Sequence, residues 1–315
     1  MKVKCHIILM AVSVLLFASC GRLADETRDD TRPRIVATTT IVGDIVGRIA
    51  GADMRLDVLT PPGADPHDYI FRPVDMVRAT DADLIFINGA GLEGHLNRLL
   101  HNVAHAARVV DLSQGIPVRH FEGPPHDKHD HHCEGDAVDP HFWVDPTNVI
   151  IWSRTITDAL STLAPEQADV FAERRDALIA KLEELDQWIR KEVENVPREQ
   201  RLLVTDHHAM GYFADRYGFE EAGVVIASFD SVAQPSAREM ARLIETLRAR
   251  RIPAIFVGVN VNPQVAAQVA RDTGTYLVPL YSGSLSEPNG PAPDYFSYMR
   301  FNVSQIVEYL TRLDG

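Results

Sequence analysis

From Arg34 onward, short apolar β-branched runs alternate with stretches whose apolar residues recur at helical spacing. Residues 34–40 (Arg-Ile-Val-Ala-Thr-Thr-Thr) read as a strand, 41–50 as a helix, 56–59 as a strand, 74–79 as a helix and 84–88 as a strand. A helix near 92–103 and a strand at 109–112 complete this first series. A second begins at Leu202, with strands at 202–205, 224–227, 254–257 and 276–279 separated by helices near 209–217, 236–250 and 263–273. Strands that alternate with helices predict a mostly parallel sheet with helices on its faces. The fold class expected is therefore α/β, with two small lobes.

Between the two series the period is helical throughout. Pro165 suits a first helical turn, and Glu166 and Asp169 lie near the positive end of the helix dipole. Apolar residues follow at Phe171, Leu178, Leu182, Leu185, Ile189, Val193 and Val196, in steps of three, four or seven, until Pro197 ends the run. A helix over 165–196 would extend roughly 48 Å at 1.5 Å per residue and act as a rigid backbone joining the lobes. An ordinary amphipathic helix inside one larger domain is the plainer alternative. The expected organisation is 34–145 for the N-terminal lobe, 146–200 for the connecting helices and 201–315 for the C-terminal lobe.

Composition narrows the function classes. The 315-residue chain is 45% hydrophobic and 24% charged, as globular proteins are, which excludes a disordered or fibrous character for most of it. Its net charge of −13, without a local basic patch, argues against nucleic acid as a partner. Lys2 and Lys4 precede an apolar run from Ile7 to Ala18, long enough for a signal-peptide core and too short to span a bilayer. It ends at Phe17-Ala18-Ser19-Cys20, which resembles a bacterial lipobox, with Phe17 in place of the usual Leu. Residues 1–19 are thus expected to be removed, Cys20 to be lipidated, and 20–33 to form a solvated tether. Cys133 would then lack an intrachain partner, so an exported protein would depend on its core rather than on disulfides.

Histidine carries most of the chemical information. Of 13 histidines, six fall between His120 and His141. The segment Gly123-Pro-Pro-His-Asp-Lys-His-Asp-His-His-Cys-Glu-Gly-Asp has almost nothing apolar to bury, so packing does not explain them. His126, His129, His131 and His132, beside Cys133, offer the donors that borderline-soft divalent ions favour. Their spacing fits no single rigid zinc site, and a labile metal-capturing loop within 120–138 is expected, against the plainer reading of a polar insertion. Three more histidines sit just beyond the carboxyl ends of predicted strands or beside a predicted helix, where α/β folds place ligands. They are His67 in Asp65-Pro-His, His141 in Asp139-Pro-His, and His207 directly after Asp206. A carboxylate beside a metal-bound imidazole can accept its second N–H and fix the ring. One such histidine would most often be a structural hydrogen-bonder; three in equivalent places favour a metal site.

Taken together, these motifs resemble the solute-binding proteins of bacterial zinc and manganese ABC importers, the cluster A-I family. The resemblance covers 35–313 and rests on Pro62-Gly-Ala-Asp-Pro-His-Asp-Tyr with Arg72-Pro, Asp139-Pro-His-Phe-Trp-Val-Asp-Pro, His207-His-Ala-Met-Gly-Tyr-Phe and Met299-Arg-Phe-Asn-Val. It implies two α/β lobes joined by a long helix, a metal between them, and His67, His141 and His207 as its ligands, with His208 the less favoured choice. Many relatives carry an Asp in a Tyr-Ser-Asp-Ser-Leu segment; here Gly283 occupies that place. Water, Glu287 or a loop histidine could supply the fourth donor. Losing an oxygen donor moves the preference from Mn2+ toward Zn2+, and the histidine-rich loop is a mark of the zinc-type relatives.

The implied function is zinc capture outside the cytoplasmic membrane and delivery to a cognate ABC permease. A periplasmic metallochaperone is an optional further partner, and a monomer is expected. The imidazoles must be neutral to bind, so affinity should fall as pH drops through roughly 6.5. Three histidines and a water are also the first shell of a catalytic zinc, so a hydrolase is the alternative from another class, and a surface adhesin is a third. The sequence has no His-Glu-x-x-His helix, no Gly-x-Ser-x-Gly elbow and no phosphate-cradling loop, and no enzyme activity is expected. Trp143, Trp152 and Trp188 read as packing, His95, His101 and His105 as solvated helix residues, and Glu93 as a structural hydrogen-bonder.

Overall fold

In each half of the chain four parallel strands form, in the same order. The structure, a computed structural model, describes residues 31–94, 108–120, 138–226 and 235–312. The first sheet holds β1 (Arg34–Ala37), β2 (Arg55–Val58), β3 (Leu84–Ile87) and β4 (Arg108–Asp111), in the order β2-β1-β3-β4. The second holds β5 (Leu202–Thr205), β6 (Glu220–Val224), β7 (Ala254–Gly258) and β8 (Tyr276–Leu280), in the order β6-β5-β7-β8. Pro279, which cannot donate to a ladder, lies on edge strand β8.

Local chemistry sets the helices. Helix α1 (Thr40–Ala50) starts where the Thr39 hydroxyl accepts from the Val42 amide and ends at Gly51, whose φ of 63° suits glycine. Helix α2 (Pro73–Thr80) opens on proline. Helix α3 (Pro146–Leu163) is capped by Asp145, which accepts from the Thr147 amide. Pro165 cannot continue α3; it opens a short 3-10 turn, and α4 (Ala168–Val193) follows. Among the described residues the remaining α-helices are α5 (Gly211–Tyr217), α6 (Ala237–Arg250), α7 (Gln264–Thr273) and α8 (Tyr295–Thr311). No described helix is long and apolar enough to cross a membrane.

Helix α4 is the expected backbone: 26 residues, roughly 39 Å, packed on α3, on α1 of the first lobe and on α8 of the second. Phe171, Leu178, Leu182, Leu185, Ile189 and Val193, spaced as the pattern predicts, are its buried face. One hydrophobic core runs from Ile35 and α1 through Trp152 and α4 to Phe213, Phe256 and Tyr298. A smaller outer core lies under each sheet's other face, around Ile85 in the first lobe and Ile255 in the second.

Three elements depart from the pattern. β6 spans Glu220–Val224, not 224–227: Glu220 and Glu221 conceal a strand that pairs in parallel with β5. The ladder does run on, since the amides of Val225 and Ile226 donate to the carbonyls of Thr205 and Asp206. The backbone helix is shorter than 165–196 because the Pro165 turn precedes it. Helix α8 was not anticipated; its aromatic residues weaken the helical signal that Asp294 restores by capping Phe296 and Ser297. The segments 1–30, most of the helix expected near 92–103, and 121–137 lie outside the described residues. With them lie Cys20, His95, His101, His105, His126, His129, His131, His132 and Cys133.

Candidate metal centre

His67 follows β2, His207 follows β5, and His141 stands at the turn that leads into α3. Although 74 and 66 positions separate them along the chain, the three rings meet, with centroids 5.2, 5.7 and 5.2 Å apart. His67 Nε2 and His141 Nε2 are 3.1 Å apart. One ligand nitrogen from each of the three lies within 4.8 Å of the others. Tetrahedral bonds of 2.0–2.1 Å to zinc would hold such nitrogens about 3.3 Å apart, so small adjustments suffice to converge on one ion. His141 and His207 are buried and His67 is half-buried.

The carboxylates noted in the sequence hold these rings from behind. Asp139 Oδ1 accepts the His141 backbone amide at 3.0 Å and faces its Nδ1 at 2.8 Å. Asp206 Oδ1 does the same for His207, at 3.0 and 3.1 Å, while its Oδ2 accepts the Gly258 amide at 3.0 Å. With Nδ1–H donated to a carboxylate, each Nε2 is left with its lone pair toward the centre, which is the tautomer a metal needs. Asp65 accepts the His67 backbone amide at 2.9 Å and stiffens the loop that carries it. Burial alone would raise the Asp139 and Asp206 carboxyls, but the facing imidazoles and amide donors outweigh it and hold both low. Burial likewise works against a charged His207, yet Asp206, with Asp65 and Asp139 beyond, raises its proton affinity.

The other candidates stand apart. Glu287 is exposed and does not belong to the cluster. Gly283 is buried, and a Cβ there would lie 2.7 and 2.9 Å from the Pro66 ring, beside His67. His208 does not belong to the cluster, and its Nδ1 lies 3.9 Å from Glu221 Oε1. Glu93 has the structural role expected: buried, it accepts from the Thr38 hydroxyl and the amides of Asn88 and Gly89 at 2.7, 2.7 and 3.1 Å. Burial pushes its carboxyl up despite those bonds. Asn88 in turn donates to the Pro140 carbonyl at 3.0 Å and braces the Asp139-Pro140-His141 turn. Trp143 and Trp152 are core residues, and Trp188 packs against that core with the Arg300 guanidinium over its ring.

Trp143 and Arg119 are contributors that sequence reasoning missed. The Trp143 indole lies edge-on to His141 at 5.3 Å and donates across the lobes to the Ser282 carbonyl at 3.0 Å. Arg119 touches Asp139 and two acids of the second lobe. It sits in a short loop without periodicity, and nothing in its sequence setting marks it.

Comparison with known proteins agrees with this architecture. Residues 35–309 match the family model described as zinc-uptake complex component A, periplasmic. The chain belongs to this family. Its known members are transport components rather than enzymes. Among relatives of this family member is the manganese-binding lipoprotein MntA of Halalkalibacterium halodurans, 30% identical over 99% of this chain and 100% of the relative. The iron-binding protein YfeA of Yersinia pestis is 32% identical over 95% and 93%. Among solved structures, a Mn-bound periplasmic metal-binding protein from Candidatus Liberibacter asiaticus superposes with a TM-score of 0.78, at 28% identity, covering 89% of this chain and all of that one. The periplasmic zinc-binding protein TroA from Treponema pallidum does so with a TM-score of 0.78, at 27% identity and the same coverage.

Proposed function

We propose that this family member captures zinc outside the cytoplasmic membrane and delivers it to an ABC permease, with His67, His141 and His207 as the metal ligands. The observation that carries the reading is the donor set: three imidazole nitrogens within 4.8 Å of one another, with no carboxylate in the group. Imidazoles suit zinc, whereas manganese favours carboxylate, carbonyl and water. A water completes the tetrahedron, since Gly283 offers no donor and Glu287 stands outside the cluster. The relatives named for transport lipoproteins favour the same setting for this chain, an exported protein anchored through Cys20. On this reading 1–19 is a signal peptide, 20–33 a tether, and the histidines of 126–132 gather zinc for the site between the lobes.

A second reading, manganese as cargo, is favoured by the names of MntA and of the Liberibacter structure. Titration separates the two. Purified protein should bind one zinc ion tightly, and a large excess of manganese should not displace it. His67→Ala and His207→Ala should each weaken zinc binding by at least about 100-fold, the loss of one of three charge-neutral ligands being worth more than about 2.7 kcal/mol. Unchanged affinity in both variants would remove the ligand assignment, and ready displacement by manganese would favour the second reading.

A further inference from the structure

We infer that Arg119 is a positioning residue for the metal centre, holding the carboxylate behind His141 in register with the helix and strand that follow His207. The inference rests on the reading of the three histidines as ligands and adds to it a residue that touches none of them.

Arg119 belongs to the first lobe, in the segment after β4. Its guanidinium meets three acids from three places. Nε donates to Asp215 Oδ2 on α5 at 3.1 Å, Nη2 lies 2.9 Å from Glu221 Oε2 on β6, and Nη1 reaches Asp139 Oδ2 at 3.4 Å. Its backbone is fixed as well: the amide donates to the Tyr212 hydroxyl at 2.8 Å, and the carbonyl accepts from the Asp139 amide at 2.8 Å. Asp215, Glu221 and Tyr212 are all second-lobe residues, and α5 is the first helix after His207. One side chain therefore spans the lobes and ends on the residue that orients His141.

Chemistry explains why an arginine stands there. The side chains of Asp139 and Glu221 are only 0% and 7% exposed, and without a cation between them the two carboxylates would face the same space. A guanidinium presents separate N–H donors in a planar fork and can satisfy several acids at once, whereas an ammonium is a single point of charge. Asp139 Oδ1 is already committed to His141, so Oδ2 is the atom through which the carboxylate plane can be set. Asp206 is held differently, by the Gly258 amide of its own lobe. Of these two carboxylates, the one behind His141 is thus tied by a guanidinium to acids of the opposite lobe. The start of α5 is shaped for this contact: a Cβ at Gly211 would lie 2.2 Å from Arg119 Nη1 and 2.5 Å from Cζ.

The test uses the full chain, with Zn2+ release into excess chelator followed by stopped flow and the absorption spectrum of bound Co2+ as a signature of ligand geometry. Arg119→Met should release zinc at least tenfold faster and alter the Co2+ bands, and Arg119→Lys should recover part of both. Arg216→Met, which removes ion pairs to Asp186 on α4 and to Asp145 but touches neither Asp139 nor a histidine of the cluster, should lower the melting temperature but leave release and spectrum unchanged. Gly211→Ala, which displaces the guanidinium while keeping its charge, should shift release in the same direction as Arg119→Met. Wild-type release and spectrum in a folded Arg119→Met protein would overturn the inference, as would wild-type behaviour of Gly211→Ala and Arg119→Lys if Arg119→Met does not fold. If the wild type itself binds no stoichiometric zinc, or binds it undiminished without His67 and His207, the ligand reading fails instead.

Discussion

Gly283 packs against the ring of Pro66, the residue that precedes His67, so its lack of a side chain has a steric meaning besides the missing donor. Any Cβ there must displace Pro66, and overpacking of this kind costs about 1–3 kcal/mol. On the zinc reading, that strain is passed through Pro66 to the adjacent His67, and Gly283→Ala should weaken zinc binding by roughly tenfold. Pro66→Ala in the same protein should restore most of the loss, a coupling that calorimetric titration of the four proteins would measure. Asp206 supports a second prediction. Asp206→Asn keeps the shape but removes the charge facing His207 Nδ1, and such losses behind a ligand typically cost 10–100-fold in affinity, read in the same titration. The grouping of His67, His141 and His207 was legible because each motif places an acid one or two residues before the imidazole; of the three acids, Asp139 and Asp206 face the rings, whereas Asp65 holds the His67 backbone amide. Glu287 was a reasonable donor by sequence distance, but the turn after Ser286 leaves it exposed. Arg119 was not legible, since its partners come from elements up to 102 residues away, as Glu221 does.

Between elements, the junction of α4 with α5 depends on Asp186. Its carboxylate accepts from Arg216 at 3.1 and 3.2 Å, from Arg190 at 3.0 Å and from the Tyr217 hydroxyl at 2.9 Å. Burial would raise this carboxyl, but the donors outweigh it and hold it below the usual range. A depressed folded-state value means that the stabilisation is complete above the unfolded value near 3.9 and is lost as pH falls through the lower, folded one. Asp186→Asn should therefore destabilise the protein by about 1–3 kcal/mol at neutral pH. The gap from wild type should narrow in urea denaturation as pH is lowered below about 4. The elements themselves were readable where apolar spacing dominates, as along α4 and in β1, β3, β5 and β7. β6 was misplaced because polar residues, Glu220 and Glu221, occupy paired positions, and α8 was missed because capping by Asp294 rather than periodicity marks its start.

Across the whole molecule, hydrogen bonds join the two lobes at several points around the candidate metal centre. The Thr40 hydroxyl accepts the Leu285 amide at 2.9 Å and pairs with Ser284 Oγ at 3.2 Å, while the Gly63 amide donates to the Leu285 carbonyl at 3.1 Å. Tyr295, on α8, donates to the Trp143 carbonyl at 2.7 Å. These bonds link hydroxyls and backbone groups far apart in the chain, and no spacing rule could have paired them. On the proposed reading, an ion held by ligands from both lobes would add to the same closure, and its binding free energy would become folding free energy. At free zinc 100 times Kd the gain is about 2.7 kcal/mol, and at about 2–4 °C per kcal/mol for a chain near this size the melting temperature should rise by roughly 5–10 °C. The rise should vanish in His207→Ala and on addition of EDTA. It should persist when residues 124–134 are deleted, because the neck of that segment is already closed by the His120–Val138 bridge and by the Asp139 amide on the Arg119 carbonyl. A deletion protein that melts as the wild type does without zinc, and gains nothing when zinc is added, would place the ion among the deleted histidines rather than between the lobes.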